Sequence, residues 1–345
     1  MILRTFRNCL RLLRSERYEE TIAELLSSGQ GVAFYEGCVH FDERLLQRAI
    51  VRRFAEPKQT IVIGSSTTMQ LRSSCFPGAS FYNHSLRRGV LEDYLAVYQL
   101  HRERNFRPAS VVLGIDAWIW DPGHWKQYWW PLHRQYFQLT RDWSIDLHRH
   151  WYDPTSIRHC FRHLGYWLDS TWKGPQPASG PADGKRPFFY TTSEEFVEDY
   201  LKRPDGSVGY HAGFRNRGPA AVEQTILESK RFPPYQISPE TRHAFELFVA
   251  RLTKQGTRVV LFLPPHHPAV YELRGRNIRG EPVLNYDNHL RHLQAVESGV
   301  RSVARRHGCC VLGSFDPTAC GCEKHDFYDW IHPNPTGIAK LLAAA

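Results

Sequence analysis

Asp329 stands three residues before His332 in the segment Asp329-Trp330-Ile331-His332-Pro333-Asn334, with Thr336-Gly337 just beyond. At the mouth of a closing helix, a carboxylate at that spacing can orient the imidazole, which can then take a proton from a hydroxyl. Such a hydroxyl is offered far upstream. The run Gln59-Thr60-Ile61-Val62-Ile63 reads as a short buried strand that breaks into Gly64-Ser65-Ser66-Thr67, and a Gly-Ser turn at a strand's carboxyl end can present a serine. Each motif alone is weak: Gly-Ser-Ser after a strand is commonly only a turn, and His332-Pro333-Asn334 also fits a helix cap, with Asn334 before Pro335. Their order along the chain is the informative feature, and only a fold can unite them.

The two motifs resemble the SGNH (GDSL-type) hydrolase superfamily. They come nearest to its members with Gly-Ser-Ser in place of Gly-Asp-Ser, which include families related to polysaccharide O-acetylation and to D-alanyl transfer onto cell-wall polymers. The resemblance implies that Ser66 is the nucleophile, His332 the base and Asp329 its orienting carboxylate. Phe81-Tyr82-Asn83 through Arg88-Gly89 resembles the second block of that superfamily, whose glycine amide helps form the oxyanion hole; here Arg88 falls where glycine is usual. Val111-Val112-Leu113-Gly114-Ile115-Asp116 resembles the third block, usually Gly-x-Asn. Asp116 replaces the asparagine, and an ionised carboxylate cannot donate to an oxyanion. Asp116 is therefore expected to orient a hydroxyl or water, or to be protonated, which leaves the oxyanion to the amide of Ser66 and that of Arg88 or Gly89. The resemblance covers residues 58–116 and 257–343 and says little about 1–57 or 120–237. It implies a serine esterase or O-acyltransferase that acts, through an acyl-serine, on acyl esters of a carbohydrate or cell-envelope polymer, with neither cofactor nor metal. The alternative is a catalytically weak scaffold that binds a glycan or a partner protein.

The elements that must position these residues alternate in the α/β manner. Helices are expected at Arg17–Leu26 and Glu43–Phe54, on a helical N-terminal appendage over 1–57. Strands at 59–63, 79–83 and 110–115 follow, with an amphipathic helix over Leu91–Arg104. Ser238-Pro239 opens a helix that Gly256 stops. Val259–Leu263 is a buried strand, Tyr286–His307 a helix ended by Gly308, Cys309–Leu312 a strand, and Pro335–Leu342 the last helix. Apolar strands separated by helices imply a mostly parallel sheet with active residues at the strands' carboxyl ends. Together with the resemblance, this gives a three-layer α/β sandwich over 58–345, interrupted by an insertion at 117–237. His266 and His267, after the Pro264-Pro265 break, are expected at the rim of the cleft.

Nine of the ten tryptophans fall between Trp118 and Trp172, inside that insertion. Aromatic faces suit sugar rings, which makes Trp118 and Trp120, nearest its root, candidate substrate-binding residues; alternatively these rings are the core of a small accessory layer. His211, Arg215 and Arg217 lie in a polar stretch that could face a carboxylate or phosphate, or simply be solvated. The composition, 42% hydrophobic and 23% charged over 345 residues, fits a chain that buries a core. A formal charge of +9 favours anionic surfaces, but no nucleic-acid-binding module accompanies it, so no nucleic acid is expected. The basic stretch Met1–Arg14 could lie on an anionic membrane or polymer, or pack as a plain helix. The eight cysteines do not form a small disulfide framework, and Cys320-Gly321-Cys322 with His325 lacks a second ligand pair for zinc. With no apolar signal segment after the start, a cytoplasmic, possibly membrane-peripheral, location is expected.

Overall fold

Short β-branched runs bounded by a polar residue or glycine recur along the chain (Thr60-Ile-Val-Ile, Ser110-Val-Val-Leu-Gly, Arg258-Val-Val-Leu-Phe-Leu), and each is a strand. In the computed structural model, which describes residues 19–35, 41–122, 129–145, 189–194 and 197–343, the strands are β1 (Gly31–Phe34), β2 (Thr60–Ile63), β3 (Phe81–Asn83), β4 (Ser110–Gly114), β5 (Phe189–Thr192), β6 (Tyr200–Lys202), β7 (Val208–Gly209), β8 (Arg258–Leu263) and β9 (Cys310–Gly313). The longer helices are α1 (Glu43–Arg53), α2 (Leu91–Glu103), α3 (His133–Trp143), α4 (Pro219–Leu227), α5 (Pro239–Lys254), α6 (Tyr286–His307) and α7 (Pro335–Ala343). The basic stretch at 1–14 lies outside the described residues.

Five strands form an all-parallel sheet in the order β3-β2-β4-β8-β9. Because side chains alternate along a strand, Ile61, Ile63, Val111, Leu113 and Leu261 enter one apolar cluster, and Val62, Val112, Val260 and Phe262 enter another. Burial of both faces explains why these strands read as continuous apolar runs rather than alternating ones. Sequence-local signals set the helix ends. Ser238 accepts from the Thr241 amide ahead of Pro239, and Gly308 takes a left-handed φ of 65° after α6. Among the described residues no helix is long and apolar enough to cross a membrane.

A second, antiparallel sheet has the order β5-β1-β6-β7. It corrects the expectation of a purely helical N-terminal appendage. Gly31-Val-Ala-Phe is a fully buried strand, and it pairs on one side with β5 and on the other with β6, both from the insertion. The start of the chain and the insertion therefore share one sheet. Helix α1 is likewise built into the body. Arg44 donates Nε and Nη2 to the two carboxylate oxygens of Asp93 on α2, at 3.0 and 2.8 Å, and both side chains are buried. Asp93 also accepts from the Val90 amide that opens α2.

Removing one partner of a buried pair strands the other charge. Asp93→Ala is expected to lower stability by about 3–5 kcal/mol. Glu246→Ala, which breaks the more exposed pair with Arg306, should lower it far less, because exposed ion pairs contribute little. Urea unfolding of the two variants measures the difference, and comparable losses would mean that α1 is not anchored through Asp93.

Candidate active site

The carboxyl ends of β2 and β4 meet with almost nothing between them. A Cβ on Gly114 would lie 2.6 Å from the Thr68 methyl group, and one on Gly64 would run into the Thr68 hydroxyl. Thr68 fills the space these glycines leave. Its hydroxyl donates to the Ser65 carbonyl at 3.0 Å and pairs with Ser85 Oγ at 2.7 Å. The buried Asn83 amide donates to the carbonyls of Thr68 and Leu71. The chain after β2 is thus wound into a tight 3₁₀ turn over Ser66–Thr68, whose N-cap is Ser65. In the run from Ile61 to Leu71, Ser66 alone is not buried. A serine in an otherwise buried segment has been brought to the surface.

His332 Nε2 lies 2.9 Å from Ser66 Oγ, across a sequence separation of 266 residues. Its Nδ1 lies 2.9 and 2.8 Å from the two oxygens of Asp329. With Nδ1–H donating to the carboxylate, Nε2 is left as the acceptor for the serine proton. Burial would raise the Asp329 carboxyl, but the adjacent imidazole and bonds from the amides of Ile331 and His332 outweigh it and hold the group below its usual range. The loop that carries the pair is tied on several sides. Phe327 bridges Pro333, the His267 amide donates to the Trp330 carbonyl at 2.9 Å, and Asn334 Oδ1 caps α7 through the amides of Thr336 and Gly337.

The opposite wall comes from the insertion. Tyr210 donates its hydroxyl to the Ser66 carbonyl at 2.7 Å. The rings of Tyr210 and Phe214 stand 5.8 and 5.9 Å from the His332 ring, and Tyr328 packs against both of them. These three aromatic residues were not singled out from the sequence. The available signals were position only: Tyr210 and Phe214 sit in the polar stretch noted for His211 and Arg215, and Tyr328 precedes Asp329.

Of the residues expected to hold an oxyanion, Ser66 has an amide with no acceptor among the described residues. The Gly89 amide, in contrast, donates to the Leu86 carbonyl at 3.1 Å, so its expected role is corrected: it closes a turn. Gly89 is required for space, since a Cβ there would come within 2.6 Å of the Gly64 carbonyl oxygen. Arg88 takes the left-handed φ of 57° that favours glycine. Asp116, buried at the end of β4, accepts from the Thr67 hydroxyl through Oδ1 at 2.8 Å, while its Oδ2 is buried with no hydrogen-bond partner. Burial raises this carboxyl to about 6, against the lowering effect of the nearby Ser65 and Thr67 hydroxyls and of His332.

Trp118 and Trp120 do not offer faces to a ligand. Trp118 is 7% exposed and donates Nε1 to the Gly89 carbonyl at 3.0 Å. Trp120 is fully buried, edge-on to Phe245 and so close to α6 that a Cβ on Gly299 would lie 2.5 Å from its ring. They hold the root of the insertion on the body, because a large ring leaving a strand end is better buried than solvated. His266 and His267 are buried as well, not at a rim, and burial lowers both, so they are neutral. Cys320 and Cys322 are buried in an apolar cluster, whereas Cys310 is exposed. No protein-family model and no curated protein matches this sequence.

A reactive hydroxyl needs both a base and access, and Ser66 has both. Ser65 is fully buried and caps the Thr67 amide. A fluorophosphonate probe is expected to label the wild type and Ser65→Ala but not Ser66→Ala, as read by in-gel fluorescence. Persistent labelling of Ser66→Ala would exclude it as the nucleophile.

Proposed function

We propose that this protein is a serine esterase or O-acyltransferase of SGNH type, with a three-layer α/β body, which acts on acyl esters of a carbohydrate or cell-envelope polymer. The observation that carries this reading is the linked chain Ser66–His332–Asp329, with both bonds at hydrogen-bonding distance and its members supplied from distant parts of the sequence. Ser66 Oγ attacks the ester carbonyl as His332 Nε2 takes its proton, and the Asp329 carboxylate stabilises the imidazolium that forms. His332 then returns the proton to the departing alcohol, leaving an acyl group on Ser66. Water or a sugar hydroxyl, deprotonated in turn by His332, attacks the acyl-serine and frees it. The Ser66 amide faces the charge that develops on the carbonyl oxygen, and no step calls on a cofactor.

Two measurements test this. With p-nitrophenyl acetate the wild type is expected to release a burst of nitrophenolate and to gain the mass of one acetyl group on the peptide containing Ser66. Absence of both, for water and for added sugar acceptors alike, would remove the enzyme reading and leave a binding scaffold. The second measurement concerns Asp116. Its folded value lies above the ordinary carboxylate value, so the group is neutral below about pH 6 and acquires charge as pH rises through it. Ionised, it opposes an oxyanion; an asparagine would donate to one. Asp116→Asn is expected to raise kcat/KM about tenfold at pH 8, less than the roughly hundredfold of a fully aligned oxyanion donor because this side chain is buried, and to change it little at pH 5. A loss at both pH values would show instead that the carboxylate's hold on Thr67 is what the site requires.

A further inference from the structure

The turn that presents Ser66 is held weakly by its own backbone. Its internal bonds, from the Thr68 amide to the Ser65 carbonyl and from the Met69 amide to the Ser66 carbonyl, are 3.2 and 3.3 Å long. Those lengths lie at the far end of the range for an amide donor, and 3₁₀ geometry is a poor one for hydrogen bonds in any case. The side-chain anchors from the body, Thr68 and Asn83, act on the carbonyls of Ser65, Thr68 and Leu71, not on that of Ser66. The shorter bond to the Ser66 carbonyl comes from outside the turn, from the Tyr210 hydroxyl at 2.7 Å.

Tyr210 ends a stretch of the insertion that runs beside the turn and is stitched to it. The Asn83 amide donates to the Asp205 carbonyl at 2.8 Å, and the Val208 amide to the Met69 carbonyl at 2.8 Å. Asp205 Oδ2 accepts from the Ser73 amide at 2.9 Å, while its Oδ1 accepts from the amide and hydroxyl of Ser207. Gly206 permits the close approach. Its φ is 80°, and a Cβ there would lie 2.3 Å from the Asn83 carbonyl oxygen.

We propose that residues 205–210 are a strap that completes the alignment of Ser66, with Tyr210 as its positioning residue. The inference rests on the reading of Ser66 as nucleophile, and it gives the insertion a part in the chemistry that does not depend on which ester is bound. The body builds the turn; the strap fixes the rotation of the peptide that follows Ser66. That rotation sets where Oγ stands relative to His332 Nε2 and to the Ser66 amide, and a displacement of about 1 Å in a reacting group can cost about a hundredfold in rate. Burial holds the Tyr210 phenol well above its usual value, so it stays a donor to a carbonyl that can only accept. Its ring also stands against the His332 ring, so one side chain touches both base and nucleophile turn.

The test reads the rate and the final extent of fluorophosphonate labelling separately, on the full chain. Tyr210→Phe keeps the ring and removes the hydroxyl. It is expected to lower the second-order rate constant about fivefold to tenfold, in keeping with one lost hydrogen bond. Labelling should still run to completion, and the midpoint of the pH–rate curve should stay at the wild-type value. Asp205→Ala, which releases the Ser73 amide, should slow labelling in the same way but by less. Tyr190→Phe is the control: it removes a 3.0 Å hydroxyl bond to Asp199 on β5, at the opposite edge of the insertion sheet from β7, and should leave the rate unchanged. A Tyr210→Phe rate equal to that of the wild type would overturn the strap and leave Ser66 as nucleophile. A reduced extent at an unchanged rate, which marks partial unfolding only, would overturn it too, as would equal slowing in Tyr190→Phe. A wild type that takes up no probe fails at the earlier step and removes the nucleophile reading together with the strap.

Discussion

The arrangement of this molecule turns on the absence of side chains at one point. Gly64 and Gly114 end neighbouring parallel strands, Gly89 packs on the Gly64 carbonyl, and Thr68 sits in the space between the strands. Only with that space left open can the chain curl back within a few residues of β2 and raise Ser66 out of a buried run. A methyl group at any of these glycines would push against backbone or against Thr68, and strand ends in a packed sheet have little room to give way. The turn also explains why the third strand matters to the site: Gly114 yields to Thr68, and two residues later Asp116 supports the same turn through Thr67.

Two carboxylates sit near one imidazole, and their surroundings separate them. Asp329 receives the His332 ring and two backbone amides, so its charge is matched on several sides. Asp116 receives a hydroxyl on one oxygen and nothing on the other, so burial dominates and its proton is held more tightly. The first stays charged beside the imidazole, as the proposed role of partner to an imidazolium requires. The second, raised to about 6, changes charge close to neutrality, which makes it a poor fixed anion.

How much of this was legible in the sequence depended on range. Strands such as Val259–Leu263 and helices such as α6 announce themselves through local composition, caps and a stopping glycine, and they were read nearly to the residue. Ser66, His332 and Asp329 were legible through the order of an early strand-ending Gly-Ser-Ser turn and a late Asp-x-x-His, which resembles a known hydrolase pattern, and the fold brings the three side chains together. Strand β1 was not: four apolar residues carry no sign of partners more than a hundred residues away. Trp118 and Trp120 misled for a related reason. An aromatic residue declares a large apolar area but not which surface will cover it, and Gly299, which makes room for Trp120, lies in a distant helix. Tyr210 and Phe214 were missed because a lone tyrosine or phenylalanine in a polar stretch carries no spacing rule.

The pairing of β1 with β5 and β6 ties the timing of assembly to the finished site. The parallel sheet already joins distant segments, but the wall carrying Tyr210 depends on a further long-range closure, between Gly31 and Thr192 and between Val32 and Lys202. Ordering so long a loop is entropically unfavourable until the strands that reward it are in place. During synthesis the early strand must therefore wait, its edges unsatisfied, while nearly half of the chain emerges. The wall that carries Tyr210 rests on that closure, and losing it would leave the Ser66 turn in place without the ring that packs beside His332.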